Sequence, residues 1–327
     1  MLNEVVTTLC MVESPTAAIT VSPSTHEASD KEDSDEKETL LETGPTITLV
    51  SQKPITSSIR ATIRHVVSHG GRLARFRGFG THILYSVLAS IVATFFNAAL
   101  PTFPCQPILA AGIAGVLLAN LHAAWTHKVV GMPTKASLWQ RIPSKTHWKT
   151  LALPAAMQTA MPYISLYLTC GVAMLLRLNK LEQETIESCA QWMGLIARFI
   201  ALFVFAITCT LFLCLPAMVT LIRIEASILP EDQDTIVPFD RTFGGKVVSK
   251  MMGGSGVVGF LDAWRSFNWE ARRRLLKTLA KTFLIMTAIM LVVVHVLLFE
   301  VFAIFGPAVG QFLAQVQRVQ QEQLGNQ

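Results

Sequence analysis

The stretch LAKTFLIMTAIMLVVVHVLLFEVFAIF, Leu279 to Phe305, decides the fold class. Its last twenty residues hold two ionisable groups, His295 and Glu300. A bilayer core of about 30 Å takes about 20 apolar residues to cross as a helix. A backbone in lipid must satisfy its own hydrogen bonds, and a helix does so. Further apolar runs precede it, at about 81–100, 106–126, 151–176 and 192–222. The expectation is an all-α, polytopic transmembrane helix bundle of about five spans. Run 192–222 is long and contains Pro216, so it reads either as one tilted span or as a span followed by a surface helix.

Composition agrees. Of 327 residues, 51% are hydrophobic and 15% charged, where a soluble domain carries roughly 25% charged residues. The flanks of the runs then set sidedness. Residues 53–80 and the link 127–150 carry Lys and Arg and no acid, and the loop 223–278 holds Arg223, Arg241, Lys246, Lys250, Arg265, Arg272, Arg273, Arg274 and Lys277. The links 101–105 and 177–191 and the segment 306–327 show no such excess. Basic and non-basic flanks alternate, which by the positive-inside rule places the N-terminus in the cytosol and the C-terminus on the outer or lumenal side. Plasma membrane and endomembrane are not distinguished. Beyond residue 52 the chain has a balance of +13. Because these charges flank apolar runs, membrane lipid is the expected partner rather than nucleic acid.

Residues 1–52 hold ten acids against two lysines and are rich in Ser, Thr and Pro. Such a stretch buries too little apolar surface to offset its ordering entropy, so it reads as a disordered acidic tail. Ser29 and Ser34 sit among acids within it. Residues 53–80 change character: Ile59, Ile63, Val66 and Val67 recur at helical spacing beside Arg60 and Arg64. This is the pattern of a basic amphipathic helix on a membrane surface. Trp139, Trp148, Trp264 and Trp269 lie among cationic residues and read as headgroup-level anchors. Asn268 reads as the cap of a helix in which Glu270 and Arg274 form an i,i+4 pair.

Within the spans, Ala111, Gly115, Ala119 and Ala123 form a small-residue stripe suited to close helix packing. Arg198 and Glu300 fall at similar outer depth and are read as an intramembrane ion pair. His295, Gln158 and Asn97 are further intramembrane polar candidates. Cys105 and Cys189 both fall on the outer side, where an oxidising compartment can join them. Gly254-Ser-Gly-Val-Val-Gly259 matches the dinucleotide-binding spacing letter for letter but lacks the βαβ unit that gives it meaning. No catalytic, cofactor-binding or metal-binding constellation is read, so an enzyme is not expected.

The stretches RIEASILPEDQDTIVPFDRTFGG (223–245), LDAWRSFNWEARRRLLK (261–277), RIPSKTHWKT (141–150) and RFRGFGTHILYS (75–86) resemble a group of filamentous-fungal multi-pass membrane proteins of unknown function. Members are sometimes labelled "ubiquitin carrier protein", yet this chain leaves no stretch free to form a soluble conjugating domain. The resemblance implies that Leu229–Asp232 and Val237–Arg241 are shaped elements rather than linker. The expected function is that of a non-enzymatic integral membrane protein whose cytosolic face contacts lipid or an unknown protein partner. The alternative is a small-solute transporter or its accessory, with secondary metabolism as one setting for it.

Overall fold

The computed structural model describes residues 2–14, 17–22, 46–51, 53–134, 136–183, 188–248 and 252–325. Two units can be described separately, Met1–Leu275 and Leu276–Gln327.

In the first unit, α3 (Phe79–Ala99) and α4 (Gln106–Val130) are joined by a short link. Gln106 turns its side-chain amide back onto the carbonyls of Asn97 and Leu100, closing the link. At the other end of the pair, Arg77 donates to the carbonyls of Lys128 and Gly131. Next comes α6 (Trp148–Leu175), after a single-turn helix α5 (Leu138–Arg141). A long rod follows, made of α7 (Cys189–Cys209), a π-turn over Thr210–Cys214 and α8 (Leu215–Ser227). Pro216 has no N–H and crowds the preceding turn, and the wider winding relieves that crowding. The run is therefore one rod, and its α8 end is buried against α4 and α6 rather than lying on a surface.

The small-residue stripe lies where α4 meets α6. Ala119 and Ala123 are fully buried, and Ala111 is nearly so. Gly115 sits against Thr159 and Ala155 so closely that a Cβ there would fall 2.6 Å from the Ala155 carbonyl oxygen. Gly115→Ala is thus expected to cost about 1–3 kcal/mol through overpacking. Gly112→Ala has its nearest such atom at 4.0 Å and is expected to be neutral or to gain up to about 1 kcal/mol from helix propensity. Thermal unfolding of the two variants in detergent checks both.

Among the described residues, four helical segments are long and apolar enough to cross a membrane: Arg72–Ala99, Gln106–Val130, Cys189–Ser227 and Trp269–Gly306. Their side chains support that medium. On α7, Met193, Ile200, Phe203 and Val204 are all more than half exposed, a pattern stable in lipid rather than in water. The helix α6 falls outside this set because Pro154, Gln158, Thr159 and Pro162 lower its apolarity.

The last helix, α10, runs Trp269–Gly325 without a break. Asn268 caps it, its side-chain oxygen accepting from the Ala271 N–H at 2.9 Å. The helix continues through Pro307 and Gly310, so residues 306–325 are helical as well. In the second unit, residues 283–305 expose apolar side chains on every side, Phe283, Val292, Phe299 and Phe302 among them, as a lipid-embedded helix does.

The largest departure lies at the start. Residues 2–14 are not a disordered tail: α1 (Leu2–Val12) is a helix with Val5, Val6, Leu9, Cys10, Met11 and Val12 buried. It packs on α4 and α8. The acidic run that dominates the tail's composition begins only beyond it. The strands β1 (Ala17–Ser22) and β2 (Thr46–Ser51) form an antiparallel ladder. Ser29 and Ser34 lie outside the described residues.

The helix α2 (Ile59–Gly70) forms as the spacing predicts, but Thr62 and Val66 are buried against protein. Its His65 ring bonds the Ile236 carbonyl at 2.8 Å. The membrane-surface reading therefore needs correction for that face: protein covers it.

Candidate functional site

Two polar features lie at the Lys- and Arg-rich end of the first unit. The first is built on Glu225 of α8, which is fully buried. On α4, His122 and Thr126 are four residues apart and share a face. The His122 Nδ1 lies 2.7 Å from Glu225 Oε1, and the Thr126 hydroxyl donates to Oε2 at 2.5 Å. The His127 Nε2 bonds the Glu225 carbonyl at 2.8 Å. Both carboxylate oxygens thus have donors, which a buried acid requires.

Aromatic rings surround the pair. Tyr85 of α3 meets the His122 ring edge-on at 4.9 Å, and Trp125 lies 5.1 Å from His122 and 5.5 Å from His82. His82 in turn contacts Glu4 of α1 at 3.4 Å. The cluster fastens α8 to α4, while the rings connect it to α3 and, through His82, to α1.

The second feature is a cap formed by α1, the loop 228–259 and the start of α10. Arg223 is its hub. It donates to the Ala263 carbonyl (2.9 Å), the Met11 carbonyl (3.0 Å) and the Ser266 hydroxyl (3.0 Å), with the Phe243 and Phe267 rings 5.0 and 5.5 Å away. Phe243 adopts a positive φ of 52°, followed by Gly244 and Gly245 at 71° and 82°, and this left-handed turn brings its ring to Arg223. Glu13 accepts from the Ile55 N–H (2.5 Å), the Thr56 N–H (3.1 Å) and the Thr56 hydroxyl (2.5 Å), and pairs with Arg274 at 3.4 Å. Arg274, expected opposite Glu270, is thus engaged with an acid far away in sequence. Burial pushes the neighbouring Cys10 thiol above its ordinary range.

Arg241 clamps the loop, donating to the carbonyls of Leu229, Pro230 and Gln233. Residues 234–236 pair with 130–132 through Met132 N–H to Asp234 O (2.7 Å) and Ile236 N–H to Val130 O (2.9 Å). The segment 229–241 is therefore a shaped element. The Gly254–Gly259 stretch is irregular loop leading into α9 (Phe260–Arg265), with Gly254 packed on Val248. Between these parts opens a cavity of about 380 Å³ bordered by Glu13, Ser14, Arg223, Asp240, Lys246 and Arg265, with both Phe rings in its wall. Burial alone would raise the Asp240 pKa. Hydrogen bonds from Thr242 and Gly244, with the Arg223 charge, outweigh that and hold it below the usual carboxylate value.

The other candidates are dispersed. Arg198 is partly buried on α7 and Glu300 exposed on α10, in different units. His295 is exposed and bonds the Leu291 carbonyl of its own helix at 2.6 Å. Gln158 is partly buried on α6, and Asn97 is exposed. Cys105 and Cys189 are free thiols, which corrects the expected disulfide. Cys105 opens α4 and Cys189 opens α7, and these helices each pack on α6. Trp139 (81% exposed) and Trp269 (71%) project outward. Trp148 donates to the Val116 carbonyl at 2.8 Å, and Trp264 stacks with Arg272 at 4.2 Å.

Sequence reasoning ended the fourth run at 222 and so missed Glu225. A signal was present: in Leu221-Ile-Arg-Ile-Glu-Ala226, apolar residues flank both charges on every helical face. No family model, curated protein or solved structure matches this chain.

Proposed function

We propose that this is a non-enzymatic, five-span membrane protein whose folded cytosolic cap docks on lipid headgroups or a protein partner. In this reading α6 is the fifth crossing. Its 28 residues reach about 42 Å, and a helix lying between others need not be as apolar as those facing lipid. The odd count puts the N-terminal cap and the C-terminus on opposite sides. An acceptor sequon placed in the link 176–188 is expected to be glycosylated in cells, and one at Met252 is not. The reverse pattern defeats this topology.

One observation carries the docking reading: large apolar side chains stand out beside exposed cations at the basic end. Leu73 is 80% exposed next to Arg72 and Arg75, and Trp139 and Trp269 project likewise. Tryptophan in that setting sits at headgroup level. In vesicles of lipid brominated near the headgroup, Trp139 and Trp269 fluorescence is expected to be quenched more strongly than with bromine at the chain ends. Equal and weak quenching at both depths opposes the reading.

The transporter reading draws support from the buried His122–Glu225 pair. The tight α4–α6 contact favours a closed scaffold instead. Cysteines introduced at Ala119 and Ala123 are expected to stay unlabelled by a membrane-impermeant thiol reagent, and labelling would favour a transport path.

A further inference from the structure

The hydrogen-bonding inventory of the 380 Å³ cavity is one-sided. Its acceptors are used: Glu13 takes three donors and an arginine, and Asp240 accepts from the Thr242 N–H and hydroxyl and the Gly244 N–H. Its donors are in surplus. Arg265 has five N–H groups and makes no hydrogen bond or ion pair among the described residues. Lys246 has three and uses one, to Asp262 at 3.4 Å. Ser14 accepts from the Asp240 N–H at 2.8 Å, which leaves its own hydroxyl proton to give. Asn268 accepts from Ala271 through its oxygen, which leaves its amide NH₂. Arg223 adds charge from the wall, and Arg274 offsets Glu13.

We propose that this cavity binds a phosphate monoester, with Arg265 and Lys246 on the phosphoryl oxygens and Ser14 and Asn268 as neutral donors. A phosphate monoester carries about −1.5 to −2 charge at pH 7 and three acceptor oxygens, which matches two cations and two neutral donors. The volume exceeds what an inorganic ion fills and lies in the range of small-ligand sites, about 300–1,000 Å³. Phe243 and Phe267 supply apolar wall for the esterified part. The same chemistry is offered by a soluble metabolite and by a phosphatidic-acid headgroup. The proposal rests on the docking reading in taking the basic end as the ligand-facing end.

The test uses full-length protein in detergent, titrated with glycerol 3-phosphate against a glycerol control, and protein in nanodiscs with phosphatidic acid against phosphatidylcholine. Saturable binding of glycerol 3-phosphate assigns a soluble ester; binding seen only with phosphatidic acid assigns the lipid. In either case Arg265→Gln and Lys246→Gln, both on exposed or half-exposed side chains, are expected to weaken binding at least about tenfold, and Lys246→Arg to retain most of it. No binding of either probe, or binding unchanged in the double variant, overturns the proposal. Tryptophan quenching by brominated lipid does not depend on the cavity, so the two readings can fail separately.

Discussion

Glu225→Ala is expected to cost about 2–5 kcal/mol of stability, the loss of a buried hydrogen-bonded group that leaves its partners unsatisfied and opens a cavity. Glu225 has no exposed surface, and its two oxygens hold His122 and Thr126. Alanine leaves an imidazole and a hydroxyl buried without their acceptor, and it opens a void between α4 and α8. Glu225→Gln keeps the shape but offers one acceptor where two donors converge, so an intermediate loss is expected. The double variant with His122→Ala separates the pair from the void. If the two groups stabilise each other, the combined loss falls short of the sum by about 0.5–3 kcal/mol. Unfolding in detergent, followed by tryptophan fluorescence, is measured for the wild type, Glu225→Ala, Glu225→Gln, His122→Ala and the double alanine variant. Losses under about 0.5 kcal/mol for Glu225→Ala would mean the cluster does not hold α8 in place.

Leu9→Ala tests the cap, on its α1 side. The side chain is completely buried, and large-to-small changes at such sites cost about 2–5 kcal/mol. In a solvated tail the same change would stay within about ±0.5 kcal/mol. The two outcomes are far enough apart for thermal unfolding to separate. Deletion of residues 2–14 is expected to go further, because it also strips the Met11 carbonyl from Arg223 and the Glu13 carboxylate from Arg274. Limited proteolysis should then cut the loop 228–259 faster than in the full chain.

The helices long and apolar enough to cross a membrane were legible because bilayer thickness imposes a length that composition alone reveals. The stripe from Ala111 to Ala123 was legible for a related reason, since close packing in lipid calls for small residues at fixed spacing. The helix α1 was hidden by averaging. Its eleven residues precede a stretch of acids, and any window over 1–52 is dominated by the latter. Its contacts are also distant in sequence: Glu13 meets Thr56 and Arg274, and Met11 meets Arg223. The missing disulfide marks another limit. Sidedness says which compartment a cysteine faces but not which helices stand next to each other.

The wide turn at Thr210–Cys214 sets the angular phase of all that follows it in the rod. Wound as ordinary α-helix at the same length, those five residues would swing α8 through about 100°. Arg223 would then leave the shell of carbonyls and rings that holds it, and Glu225 would swing toward the hydrocarbon. A single surplus residue, absorbed just before Pro216 and well away from either charge, is what lets one short helix present an acid to its bundle and a base to its cap.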